Sequence, residues 1–397
     1  MDPLIFSPVN RGELPACSQP ARGLAGRWVN KMISKVIISG NEESDWGNIS
    51  AQNPIDQISL SLDDSPDLIV DFVKKYDGNF MAGFISYEYG AKQLGVPFHE
   101  IDGLPAIHFR VYDSYEDFSV PPNYPTMEWA PFEPIIPRQE YESNFKKIKD
   151  LIRAGDFYQI NYTHPLKSKT EATPENLFHA LRLKNRVGHS AYFESDDWAI
   201  QSLSPEQFIK IENGIISTKP VKGTMPRGAS SLEDNQNLNL LLSSEKEQAE
   251  LYMIIDLLRN DLGKVCETGS VQVLESKSIQ KLEKVFHTYG VVRGELKHDL
   301  HPIEALLSMS PGGSISGCPK KRACEFIHEI ESHPRGIYTG TMGYILPDGA
   351  LNFNIAIRTI IQKGNDLILG VGGGITIDSN NDDEYKETLA KAASFQP

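Results

Sequence analysis

Basic residues are in deficit in this chain. Lys and Arg number 39 against 53 Asp and Glu, a formal net charge of −14 over 397 residues. A surface for nucleic acid or for an anionic membrane is argued against by that balance. No stretch approaches the ~18 consecutive apolar residues of a membrane span. Met1-Asp2-Pro3-Leu4 lacks the basic and apolar regions of a signal peptide, so a cytoplasmic location is expected. Cysteine is scarce as well: Cys17, Cys266, Cys318 and Cys324 form no CxxC pair and no disulfide framework, as in a reduced enzyme. Internal repeats, coiled-coil heptads and low-complexity tracts are missing, and hydrophobic content of 40% is that of an ordinary globular chain. An acidic protein that binds an acid needs a cation or a local basic cluster to hold it.

The pieces present are those of an α/β mixture. Short strands are expected at Lys35–Ser39 and Phe80–Ser86. Six prolines between Pro121 and Pro137 read as an extended connector, giving a division into 1–137 and 138–397. A linker-separated pair of domains and one large interwoven α+β unit both remain open. Tyr141, Phe145, Ile148 and Ile152 recur at helical spacing from Arg138 until Gly155, and a strand is expected at Phe157–Tyr162. Asp348-Gly349 signals a hairpin between Gly343–Leu346 and a long strand Leu351–Ile361. On that second strand Arg358 shares the polar face with Asn352 and Asn354, where its fork suits a carboxylate.

Lys222 stands between Pro220 and Gly223, after an expected strand and before a polar loop. An ordinary turn lysine is the plain reading. An amine held there near other cations would lose its proton more easily and become a nucleophile. Ser244 to Glu247 opens a helix whose stripe is Leu251, Ile254, Ile255, Leu258 and Leu262, with Glu247 and Glu250 on its inward edge. Glu384 and Glu387 repeat that spacing near the C-terminus, followed by Lys391. Each pair has a simpler reading, as a cap or an i,i+4 ion pair. Together they suit a hard divalent cation such as Mg²⁺, which takes one or two carboxylates and keeps waters. Pro311–Lys320 leads into a helix and is an anion seat by its exposed N–H groups, although it is not a P-loop. Gly372-Gly373-Gly374, after the strand Leu367–Val371, is either a bulge or a place where backbone approaches a ligand.

The order of these segments resembles the chorismate-utilising enzymes. Ser204-Pro205-Glu206, Pro220–Thr224, Glu250–Asp261, Phe286-His287, Pro311–Lys320, Tyr338-Thr339-Gly340, Ile357-Arg358-Thr359, Gly372–Ile375 and Glu384–Thr388 carry the likeness over about 138–395. It implies a large interwoven two-sheet α/β sandwich of the anthranilate synthase type. Lys222 resembles the lysine of aminodeoxychorismate synthase component I, where anthranilate synthases carry alanine. Gln159 replaces the general-base lysine of isochorismate and salicylate synthases. The resemblance implies that Lys222 attacks C2 of chorismate while Glu206 protonates the departing C4 hydroxyl. It also implies Glu250 and Glu387 as Mg²⁺ ligands with Glu247 and Glu384 beside them, and His287 facing the ring. Tyr338, Arg358, Lys391 and the backbone of Gly372, Gly373 and Gly374 would hold the substrate carboxylates. Ammonia would enter at C4 to give 4-amino-4-deoxychorismate, the precursor of 4-aminobenzoate and folate. The chain has no Gly-x-Cys-x-Gly glutaminase motif, which points to free ammonia or a separate glutamine amidotransferase. Met225 departs from the arginine common in the family at that place. An anthranilate-forming relative and a non-catalytic chorismate-binding subunit are the alternatives.

Overall fold

A computed structural model describes residues 34–42, 44–120, 127–281 and 285–397. Met1–Leu4, Cys17 and the prolines at 121, 122 and 125 lie outside the described residues. Two ten-stranded antiparallel sheets dominate. The first runs from Gly317–Cys318 through Gln159–Lys169, Asp366–Thr376, Thr359–Lys363, Ala199–Ser204, His189–Glu194, Lys35–Ser39 and Asn48–Gln52 to Glu116–Asp117. The second runs from Val221–Pro226 through Val285–Glu295, Ile215–Lys219, Gln207–Glu212, Leu351–Ile355, Thr341–Ile345, Phe80–Ile85 and Ile107–Tyr112 to Asp56–Leu60. Strands from before residue 113 pair directly with strands from after residue 188 in both sheets.

Period-two alternation explains how one strand serves two layers. Val36 and Ile38 join Phe80, Phe84, Met342 and Phe193 in the core between the sheets. Ile37, between them in sequence, packs on the other face with Leu177, Phe178 and Leu181 of the helix Pro174–Lys184. The largest core lies on the far face of the second sheet, where Leu251, Ile255 and Leu262 of the helix Glu245–Val265 meet Val292 and Ile216. That helix has the expected stripe. The helix Arg138–Ala154 also ends as expected, at Gly155 with φ +87.

Three sequence expectations change. Leu351–Ile361 is not one strand: Leu351–Ile355 belongs to the second sheet and Thr359–Lys363 to the first, with Arg358 at φ +51 in the corner. The polar segment after Lys222 is no loop, since Ser231–Ser243 is a helix capped by the Ser230 hydroxyl. Gly372–Gly374 makes no bulge and does not follow its strand. It lies inside Asp366–Thr376, paired in unbroken register with Thr163, Tyr162 and Asn161.

Candidate active site

Two corners, each a crossing of the chain between the sheets, lie side by side. Ser204 ends a strand of the first sheet and Gln207 begins one of the second, leaving Glu206 in the crossing. Arg358 sits in the return crossing. The corners are stitched together, as Ile355 donates its N–H to the Glu206 carbonyl at 3.1 Å and Leu203 donates to the Arg358 carbonyl at 3.0 Å. Crossing segments leave the ladder, so their side chains are free to face the space between the sheets' ends.

A cavity of about 550 Å³ opens there, with His287, Arg358, Lys391, Thr224, Lys219 and His189 in its wall. Of the expected site residues, His287, Arg358 and Lys391 line it directly. Lys222 and Glu206 flank it through the neighbours Val221 and Pro205. Burial lowers the proton affinity of Arg358, and its guanidinium has no hydrogen bond or ion pair among the described residues. A half-buried cation in a cavity wall without a protein anion is a seat for a ligand anion.

Lys222 lies within the strand Val221–Pro226, opposite Thr288. The strand bulges at Gly223, whose φ is +76 and whose replacement would bring a Cβ to 2.8 Å from Thr288 Oγ1 and 3.2 Å from Glu247 Oε2. Only glycine fits that close passage. The Lys222 amine has no ion-pair partner among the described residues, yet its charge acts on Glu206, Glu250 and Glu387.

Glu206 is buried, and burial raises its proton affinity. The Ser314 hydroxyl, donating to Glu206 Oε1 at 2.8 Å, opposes that rise, as do Lys222 and Lys391. The net result is a carboxyl held above its ordinary range, suited to giving up a proton. His287 is buried and pushed toward the neutral form by desolvation, a trend the Gly223 carbonyl opposes and Arg358 reinforces. Its Nδ1 lies 2.9 Å from Thr224 Oγ1 and 3.4 Å from the Gly223 carbonyl. A carbonyl only accepts, which assigns the proton to Nδ1 and leaves Nε2 a lone pair.

The two acid pairs sit on two helices, Glu245–Val265 and the C-terminal helix Asn381–Ala392, near enough that Glu387 acts on Glu250. Burial raises the proton affinity of Glu250, with Lys222 opposing and Glu247 and Glu387 adding to the rise. Glu384 is raised by burial against a 2.5 Å bond from Ser379, with Glu387 again adding. Glu387 is pushed up by burial but pulled below its ordinary value by Lys391, at 2.8 Å, together with Lys222 and Lys246. Carboxylates that repel across a gap are a chemically apt set for a hard divalent cation. Among the described residues no three His, Cys, Asp or Glu side chains converge as a ready-made metal set. Such an ion would therefore rest on one or two of these carboxylates and on water.

Lys391 donates to the Gly372 carbonyl at 2.9 Å, tying the C-terminal helix to the glycine strand. A Cβ at Gly373 would stand 3.2 Å from Glu384 Oε2 and 3.7 Å from Lys391 Nζ. Tyr338 is buried with its hydroxyl proton held tightly by desolvation, and its ring lies on Gly370. It is not in the cavity wall. The Pro311–Lys320 segment does not offer its lysine to an anion, because Lys320 is buried in a 2.5 Å ion pair with Asp261. Ser314 and Thr224 were not singled out by sequence. Both stand in quoted motifs, but nothing in the order of residues shows that one hydroxyl meets Glu206 and the other His287.

The profile of the chorismate binding enzyme family matches residues 119–397. The chain belongs to that family. Aminodeoxychorismate synthase component 1 of Salmonella typhimurium is 39% identical over 254 residues, 64% of this chain and 56% of that protein. Anthranilate synthase component 1 of Aquifex aeolicus is 37% identical over 258 residues, 65% of this chain and 52% of its own length. The match thus spans about half the length of these curated relatives. A crystal structure of anthranilate synthase component I from Streptococcus pneumoniae aligns with a TM-score of 0.76 at 27% identity, covering 96% of this chain and 95% of that one. The two-sheet architecture expected from the resemblance is the one found. No helix among the described residues is long and apolar enough to cross a membrane.

Proposed function

We propose that this chorismate-binding enzyme aminates chorismate at C4, giving 4-amino-4-deoxychorismate and water. The observation that carries the reading is Lys222: an amine without an ion-pair partner among the described residues, whose charge acts on Glu206, Glu250 and Glu387, beside an anion-seeking cavity. The amine attacks C2, the ring double bonds shift, and the C4–O bond breaks. Glu206 delivers the proton with which that oxygen leaves as water. Ammonia then bonds to C4, the double bonds shift back, and the C2–N bond to Lys222 breaks. Arg358 and Lys391 hold substrate carboxylates; the Gly372–Gly374 strand stands behind Lys391, which donates to the Gly372 carbonyl, and Tyr338 packs on that strand at Gly370 without reaching the cavity. Neutral His287 turns its Nε2 toward the ring.

Mg²⁺, held by Glu250 and Glu387 with Glu247 and Glu384 beside them, would neutralise a substrate carboxylate and fix the ring's position. Ammonia reaches the site free or from a separate glutamine amidotransferase, in keeping with relatives named as first components. Placement in the cytoplasm, upstream of 4-aminobenzoate, belongs to the same proposal.

The relatives named as anthranilate synthases support a second reading, amination at C2 with loss of pyruvate. One assay separates the two. With chorismate, ammonium and Mg²⁺, the account expects a product that a lyase converts to 4-aminobenzoate, and expects Lys222→Ala to abolish it. Anthranilate as the product, with Lys222→Ala still active, overturns the proposal. Binding of chorismate with no product under any condition favours a non-catalytic subunit.

A further inference from the structure

The buried pair Lys320–Asp261 has no place in the reaction above. Lys320 Nζ and Asp261 Oδ2 are 2.5 Å apart, with side-chain exposures of 8% and 2%. A buried ion pair is seldom worth more to stability than two well-packed apolar side chains. Its surroundings suggest another use. Lys320 closes the segment 310–319 at its far end, and its ammonium reaches back to the Met309 carbonyl at the near end, 3.5 Å away. The lysine thereby cinches the loop into a ring. Asp261 fastens that ring to the helix Glu245–Val265, the same helix that carries Glu247 and Glu250. Contact is direct at Gly313, where a Cβ would lie 2.6 Å from Leu257 Cδ2 and 3.6 Å from Asp261 Oδ2. Ser314 is the next residue, and its hydroxyl is the one that donates to Glu206 Oε1 at 2.8 Å. Ser316 stiffens the same turn by bonding the Gly312 and Gly313 carbonyls at 2.9 and 3.2 Å.

We propose that the Lys320–Asp261 pair is a positioning device for Glu206: it holds the loop so that Ser314 occupies Oε1 and leaves Oε2 to face the substrate. The carbonyl oxygen of a neutral carboxyl is the better acceptor, so a hydroxyl donating to Oε1 favours the carboxylic proton of Glu206 on Oε2. That proton passes to the leaving C4 oxygen, and Glu206 ends as the carboxylate that Ser314 steadies. The other charged groups acting on Glu206 are Lys222 from its strand and Lys391 from the C-terminal helix, and neither touches the pair. The inference rests on Glu206 as the acid of the proposed reaction.

The single change Lys320→Met leaves Asp261 buried with only half-exposed Lys264, at 3.0 Å, and risks the fold. The informative variant is therefore the double change Lys320→Met with Asp261→Leu, which removes both charges. Melting temperature, kcat, KM, the pH profile and the titration of the Glu206 carboxyl are compared with wild type. The titration is followed by infrared difference spectroscopy, with Glu206→Gln identifying the band. The expected result is a melting temperature equal to or above wild type, kcat lower by roughly ten- to a hundredfold, and KM little changed. The alkaline limb and the Glu206 midpoint both move to higher pH, because the bond from Ser314 that favours the ionised form is loosened. Ser314→Ala moves the midpoint the same way, and adding it to the double variant moves it no further. A double variant with wild-type stability, kcat and Glu206 midpoint overturns the proposal and makes the pair scaffold alone. A double variant that melts far below wild type and keeps the wild-type midpoint does so too. Wild-type protein that does not turn over chorismate, combined with a shifted midpoint in the double variant, sinks the reaction while supporting the positioning.

Discussion

Arg335 is buried and Arg358 half-buried at the cavity, and the two arginines differ in what surrounds them. Arg335 makes a two-pronged contact with Glu331 at 2.7 and 2.8 Å, donates to the Ile315 and Asn161 carbonyls, and lies over the Tyr87 ring. Every direction of its fork is used inside the protein. Arg358 has no such partner among the described residues and opens on the cavity. A satisfied buried cation is scaffold, and an unsatisfied one in a cavity wall is a site waiting for charge from outside. The two lysines repeat the contrast: Lys320 is locked to Asp261, whereas the amine of Lys222 has no ion-pair partner among the described residues.

The sharpest break of that comparison is chemical. Lys222→Ala removes the nucleophile and is expected to cost more activity than any other single change, with folding intact by melting temperature. Glu206→Gln follows, with a loss of about 10²–10⁴ in kcat. The arginines come next. Arg335→Met strands Glu331 and is expected to cost about 3–5 kcal/mol of stability, read by denaturant unfolding. Arg358→Met should leave stability unchanged or raise it, and weaken chorismate binding by roughly ten- to a hundredfold, since a charge-assisted bond is lost. If Arg358→Met unfolds the protein, the distinction between the two cations fails.

The pH dependence is a smaller test with a definite sign. Burial raises the Glu206 carboxyl against the opposing effects of Ser314, Lys222 and Lys391. Its acid form thus persists to higher pH than that of a free glutamate. Turnover that needs this proton is full below the raised value and is lost as pH rises through it. Smallest of all is Gly373→Ala, where a new methyl crowds Glu384 Oε2 at 3.2 Å and touches Lys391 at 3.7 Å. A several-fold rise in KM with unchanged kcat is expected from steady-state kinetics.

Sequence periodicity located the helix Arg138–Ala154 and the stripe of Glu245–Val265, because both bury one face against a core. The Asp348-Gly349 turn signal located the hairpin. The break at Arg358 was hidden, since alternation along Leu351–Ile361 continues smoothly and a non-glycine residue at positive φ leaves no mark in composition. Ser231–Ser243 looked like a loop because its Asn, Gln and Asp content is that of a turn, and only Leu241 is buried. The acids, the lysine and the histidine of the site were legible through motif resemblance. Their supporting hydroxyls, Ser314 and Thr224, depend on contacts between segments 108 and 63 positions apart, which no local pattern encodes.

The most direct test is mass spectrometry of the protein quenched during incubation with chorismate and Mg²⁺ while ammonia is withheld. The peptide bearing Lys222 should gain the mass of chorismate less one water, and lose it again once ammonia is supplied. An unmodified Lys222 under conditions where 4-amino-4-deoxychorismate still accumulates on adding ammonia would contradict the account.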